Sequence, residues 1–302
     1  MAMRKLGFAA LLCSLTGCGL FSAPTPPPTG EALQSIADRL PPGQRMLIPV
    51  ETTDDDGNPV VIATRVCRPP DPAPARVVII NHASMPTEKG RAAMVAMACD
   101  SEPVRWFRDR GFLVMIPLRR GYGSVGGDWG EYAGSCASPD YAHAGLEAAR
   151  DIAAAVTFAA SLPYAQDRGV VVIGEDAGGW ATMAYDATAH PQVSALISVA
   201  GGRGARTGDA AHLCRPDRLV DAAGTLGRHA ATPMLWLYSR NDSVFADEIV
   251  TAMHTAFIQS GGRASLHMLD AFGDDGHALF TAEGGSAVWG PVVEQYLAEH
   301  AP

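Results

Sequence analysis

Val170-Val171-Val172-Ile173-Gly174-Glu175-Asp176-Ala177-Gly178-Gly179 is the stretch that decides how this chain is read. A β-branched apolar run enters a turn with glycines at positions 174 and 178, then leaves into a helix-like stretch from Trp180 to His190. β-Branched residues favour a strand, and glycine permits a sharp turn with close backbone approach. Strand, tight turn and helix in that order lift the middle side chain of the turn above the edge of a sheet. Serine is the usual residue there. Here it is Asp176.

Working outward, strand-like runs are expected at 45–50, 60–66, 77–81, 112–117, 170–174, 195–200, 234–238 and 264–269. The first two flank Asp54-Asp55-Asp56-Gly57-Asn58 and read as a hairpin with a solvated acidic turn, since the later Glu of a calcium loop is missing. The central runs are continuously apolar, as when helices cover both faces of a sheet. Helical stretches are expected at 88–110, 141–162, 177–190, 246–260 and 286–299. An antiparallel start followed by βα repeats predicts an α/β fold with a mostly parallel eight-stranded sheet and helices on both faces. The segment between Ala200 and Met234 is too short for a large cap over the sheet.

The N-terminus reads as an export signal. Arg4 and Lys5 precede an apolar core, residues 6–15, that is too short to span a bilayer. Leu15-Thr16-Gly17-Cys18 then resembles a bacterial lipobox, with cleavage before Cys18 and a lipid on its thiol. Gly19 after it implies outer-membrane sorting in a diderm host. The expected organisation is a signal peptide at 1–17, a proline-rich tether at 18–32 and one domain at 33–302. Losing Arg4 and Lys5 takes the formal charge from −9 to −11, and no basic patch appears, which removes nucleic acid from the expected partners. The expected partners are a small-molecule substrate and a membrane reached through the anchor. Cys67, Cys99, Cys136 and Cys214 remain in an oxidising compartment as candidates for two disulfides with three possible pairings. Their spacing fits no zinc site, so no metal is expected.

A hydrolytic site on such a sheet needs a nucleophile, then an acid, then a histidine, each in a loop past the carboxyl end of a different strand. Asp176 fills the first place. Asp242 follows the strand 234–238 in Ser239-Arg240-Asn241-Asp242-Ser243, and His277 follows the strand 264–269 in Asp275-Gly276-His277-Ala278. Two further loops fit the same edge. Asn81-His82-Ala83-Ser84 follows the third strand and offers Ser84 N–H, with Ala177 N–H, as oxyanion donors; His82 is expected to be structural. Arg119-Arg120-Gly121-Tyr122-Gly123 follows the fourth strand and is given a shaping role.

Together the elbow, the Arg-Gly-Tyr-Gly loop, the run Pro233–Tyr238 leading to Asn241-Asp242-Ser243, and Asp275-Gly276-His277-Ala278-Leu279-Phe280 resemble dienelactone hydrolase-like α/β-hydrolases, most of all exported esterase- or peptidase-like members. The resemblance covers roughly residues 77–297. It implies cofactor-free hydrolysis of ester, lactone or related acyl bonds, with Asp176 at the nucleophile position, His277 as general base and Asp242 as its orienting acid. Family members carry Ser or Cys where this chain has Asp176. A carboxylate attacking an ester would form a mixed anhydride, higher in energy than the ester. Three readings of Asp176 follow: a nucleophile toward saturated carbon, as in haloalkane dehalogenases and epoxide hydrolases; an altered esterase with Asp176 as general base; or a non-catalytic envelope binding protein with an Asp176–His277 salt bridge.

Overall fold

The structure is a computed structural model that describes residues 30–41, 43–44, 46–53, 59–187, 191–204 and 213–301. The expected lipid-bearing Cys18, the tether up to residue 29 and the acidic turn 54–58 lie outside the described residues.

After a short helix α1 (Gly30–Ala37), strands β1 (Met46–Thr53) and β2 (Pro59–Cys67) pair antiparallel, with Ile48 opposite Ile62. Then come β3 (Val77–Asn81), α2 (Glu88–Ala92), α3 (Glu102–Asp109) and β4 (Leu113–Pro117). A two-residue hairpin, β5 (Gly134–Ser135) with β6 (Ser138–Pro139), precedes α4 (Tyr141–Ala159). The second half runs β7 (Val170–Glu175), α5 (Ala177–Tyr185), β8 (Val193–Val199), α6 (Pro216–Gly227), β9 (Met234–Ser239), α7 (Asp247–Gln259), β10 (Ala264–Leu269) and α8 (Gly285–His300).

The large sheet has the order β1-β2-β4-β3-β7-β8-β9-β10, antiparallel through β1, β2 and β4 and parallel from there. Alternation along a strand sends successive side chains to opposite faces. Val77, Ile79 and Val172 therefore face one core with Trp180, Ile152 and Phe257, whereas Val78, Ile80, Val171 and Ile173 face the other with Phe107, Trp289 and Val293. β3, β4, β7 and β9 are buried along their whole length, which is why they read as unbroken apolar runs.

Three helical expectations need correction. The stretch 88–110 is two helices, because residues 93–101 leave the helix to bring Cys99 to Cys67 and Pro103 then opens α3. α5 stops at Tyr185, short of the expected 190, and residues 188–190 lie outside the described residues. The segment after β8 contains α6, which was not anticipated. Its Leu219, Ala222, Ala223 and Leu226 are buried in the helical layer.

The pairing left open by the sequence is Cys67–Cys99 and Cys136–Cys214. The second ties the β5–β6 hairpin to the segment entering α6. The bridged residues lie 32 and 78 positions apart. On the chain-entropy view, loops of this order stabilise the fold by roughly 3–5 kcal/mol each.

Two glycines let α5 cross close to the sheet. A Cβ at Gly174 would sit 2.2 Å from the Gly178 oxygen, and one at Gly178 would sit 2.3 Å from the Asn81 oxygen. Both obstacles are backbone, which cannot rotate away. Gly178→Ala should therefore cost about 1–3 kcal/mol or more in a urea melt. An unchanged midpoint would mean that the elbow is looser than this packing requires.

Candidate active site

Asp176 joins β7 to α5 with φ 53° and ψ −120°, a positive-φ conformation that L-residues seldom adopt. Three hydrogen bonds fix it. Its N–H donates to Val199 O at 3.1 Å, and its carbonyl accepts from Trp180 N at 2.9 Å and Gly202 N at 3.1 Å. The carboxylate consequently stands up from the sheet edge, as the sequence pattern predicts for that position.

Asp242 and His277 meet it there. His277 Nδ1 lies 3.1 Å from both carboxylate oxygens of Asp242, and His277 Nε2 lies 3.8 Å from Asp176 Oδ1. Asp242 Oδ1 also accepts from Val244 N at 2.8 Å and Phe245 N at 2.9 Å, so its orientation is set by its own loop. Because a carboxylate can only accept, Nδ1 carries a proton and Nε2 is the nitrogen turned toward Asp176.

A staple between the acid loop and the histidine loop is one feature the sequence reading missed. Asp275 accepts from Ser243 N (3.0 Å), Ser243 Oγ (2.7 Å) and His277 N (3.0 Å). Asn241 adds bonds to Phe272 and Gly273. Gly276 fits because a Cβ there would lie 2.3 Å from Ser239 Oγ. An acid two residues before the histidine was the available signal.

On the opposite side, Ser84 N–H donates to Asp176 Oδ2 at 3.1 Å, with Ser84 Oγ 3.4 Å from the same oxygen. Ala177 opens α5, so its N–H has no acceptor within the helix. His82 explains how the Ser84 peptide is aimed. Arg119 N–H donates to His82 Nε2 at 3.1 Å, which leaves the proton on Nδ1, 2.7 Å from Ala83 O. Burial, with the nearby Arg119 charge, lowers the His82 pKa to about 3 and keeps the ring neutral. Arg119 and Arg120 anchor the loop that follows β4: Arg119 pairs with Glu131 and reaches His82 O at 2.7 Å, while Arg120 binds Asp151 through N and Nε at 2.8 and 2.7 Å. Arg203 closes on Glu131 from the segment after β8, a contact that no pattern in the sequence announces.

The electrostatics are unusual. Burial alone would lower the His277 pKa, but the hydrogen bond and charge of Asp242, with the charges of Asp176 and Glu175, outweigh it and raise the pKa above the ordinary imidazole value. Glu175, buried directly before the elbow and bonded to Thr281 Oγ1 at 3.2 and 3.3 Å, is pushed by burial up to about 7.

Residues 62–299 match the sequence model of the dienelactone hydrolase family. The chain belongs to the dienelactone hydrolase family. No curated protein sequence matches it significantly. Among solved structures, acylaminoacyl peptidase from Pyrococcus horikoshii superposes with a TM-score of 0.60 at 13% identity, over 85% of this chain and 41% of that one. This chain thus spans about two fifths of the peptidase. A Pyrococcus furiosus esterase superposes with a TM-score of 0.54 at 14% identity, covering 85% and 91% of the two chains. Est1E from Butyrivibrio proteoclasticus gives 0.51 at 13%, covering 84% and 98%. These likenesses carry the α/β-hydrolase fold.

Within this family member, the raised His277 pKa has a signed consequence. Its contribution to stability is fully present below the unfolded pKa of about 6.5 and is lost as pH rises through the folded pKa. In an NMR titration His277 should show a midpoint above that of a free imidazole, and Asp242→Asn should lower it. A wild-type midpoint at or below the free value would contradict the contacts described.

Proposed function

We propose that this protein hydrolyses ester, lactone or related acyl bonds, with Asp176 serving as a base at the nucleophile position. The observation that carries this reading is the Asp176 carboxylate itself, with Oδ2 3.1 Å from the Ser84 donor and Oδ1 3.8 Å from His277 Nε2. A proton acceptor beside the oxyanion donor sits where an attacking oxygen must lose its proton. The substrate carbonyl enters between Ser84 N–H and Ala177 N–H. Asp176 takes the proton of the attacking oxygen and exchanges it with His277, whose ring Asp242 orients. Developing negative charge on the carbonyl oxygen is met by the two backbone donors.

A second reading is favoured by the same Oδ2 contact. With one carboxylate oxygen held by a backbone donor, Asp176 can displace a leaving group at saturated carbon, as dehalogenases and epoxide hydrolases do. His277 would then direct water at the resulting ester, whose carbonyl oxygen already lies in the donor's grip.

A panel of p-nitrophenyl esters, a haloalkane and an epoxide separates the two. In the acyl reading the wild type cleaves esters, Asp176→Ser raises that turnover at least about tenfold, and His277→Gln lowers it roughly 100-fold or more. Halide release, with an alkyl adduct accumulating on Asp176 in the His277 variant, would replace the acyl reading with the second. No turnover of any substrate by well-folded protein would leave a binding role.

We also propose that Cys18 carries a lipid that holds the domain at the bacterial cell envelope, probing a small-molecule substrate from there. Cys18→Ala should move the protein from the membrane fraction to the soluble fraction. Unchanged membrane association would reject the anchor.

A further inference from the structure

We propose that the hydroxyl absent from the elbow is supplied by Ser84, which acts as the attacking nucleophile with Asp176 as its base. The inference rests on the acyl reading above and names the atom that forms the covalent bond.

The groups form a row. Ser84 Oγ lies 3.4 Å from Asp176 Oδ2, Asp176 Oδ1 lies 3.8 Å from His277 Nε2, and His277 Nδ1 lies 3.1 Å from Asp242. An elbow serine would meet the imidazole directly. Here a carboxylate occupies that place and a serine hydroxyl stands on its far side. Ser84 is half-buried, so the residue is not sealed inside the core.

Its backbone is fixed by buried groups. Ala83 O is held by His82 Nδ1–H, His82 Nε2 accepts from Arg119 N–H, and His82 O accepts from Arg119 Nη1. That chain sets the peptide whose N–H donates to Asp176. A nucleophile's own N–H can double as an oxyanion donor, as it does in Ser-His-Asp proteases. When substrate enters, its carbonyl oxygen takes Ala177 N–H and replaces Asp176 Oδ2 on Ser84 N–H, leaving the carboxylate to the hydroxyl alone.

The step balances with protonated His277 as the starting form. Ser84 Oγ bonds to the carbonyl carbon and its proton passes to Asp176. The tetrahedral intermediate collapses, the C–O bond to the leaving alcohol breaks, and that oxygen takes the proton of His277 Nε2. Asp176 then returns its proton to His277. Water repeats the sequence on the acyl-Ser84 ester, releasing the acid and restoring the serine hydroxyl.

The test treats the purified protein with a fluorophosphonate, maps the adduct by peptide mass spectrometry, and measures p-nitrophenyl ester turnover in parallel. The expected result is a phosphonyl group on Ser84, lost in Asp176→Asn, and ester turnover that falls on the order of 100-fold or more in Ser84→Ala. Ser84→Ala keeps the backbone donor, so loss of the hydroxyl alone is read. In Asp176→Ser the adduct should move to position 176. Ser84→Cys should react with iodoacetamide faster than it does when Asp176→Asn is added, a dependence that a purely structural serine would lack. An adduct elsewhere, or ester turnover that survives Ser84→Ala, overturns the proposal while leaving the acyl reading with water as the attacking oxygen. Labelling of Ser84 without cleavage of any ester supports the nucleophile and rejects the substrate class. Absence of both label and turnover overturns the two together.

Discussion

The backbone at Asp176 occupies a region that costs a non-glycine residue roughly 1–3 kcal/mol, and the fold holds it there from three directions. Val199 at the end of β8 accepts its N–H, Gly202 donates to its carbonyl, and the first turn of α5 begins from the same carbonyl. Each partner depends in turn on the sheet order, because β7 and β8 must be parallel neighbours for Val199 to lie beside Glu175. Gly174 and Gly178 complete the constraint by letting α5 approach the β3 end. The side chain at 176 is thus presented by the topology, whatever its chemistry.

A second layer of constraint is ionic and buried. Arg119 and Glu131 have almost no exposed surface, and Arg203 reaches the same carboxylate. Burial and these two guanidinium groups act on Glu131 in opposite senses. Burial raises its pKa, but the charges prevail and hold it near 2. Burying such groups gains little net stability, whereas removing one partner strands a charge. What the cluster supplies here is position. Arg119 holds both the ring and the carbonyl of His82, and His82 holds Ala83, so the donor peptide of Ser84 is tied by two steps to a guanidinium in the core. The shaping role expected of the Arg-Gly-Tyr-Gly loop has this physical content.

Much of this was legible in the chain. The strands of the central sheet announced themselves because both faces are covered, which removes polar residues and leaves unbroken runs at β3, β4, β7 and β9. The order Asp176, Asp242, His277 was legible because each lies just past a strand end, where loops of a parallel sheet converge. α6 was not, since its helical residues sit within a Gly- and Ala-rich stretch whose pattern resembles a connection. The split between α2 and α3 depends on Cys99 reaching Cys67, and pairing among four cysteines is a property of the folded chain. Arg203 and Glu131 lie 72 residues apart, a separation that only the topology closes.

The aspartate changes the charge at the sheet edge less than it first suggests. A serine elbow at rest carries a neutral hydroxyl, a neutral imidazole and one carboxylate. Here two carboxylates flank an imidazole whose pKa is raised, so in the protonated form the three groups again sum to one negative charge. The distribution differs, however. In that protonated form an anionic oxygen rests on the Ser84 donor beside an imidazolium, the arrangement that a serine hydrolase reaches only after its nucleophile has attacked. That form is stabilised by the contacts that would otherwise lower a barrier. In the acyl reading, substrate must displace Asp176 Oδ2 from Ser84 N–H before that donor acts on it.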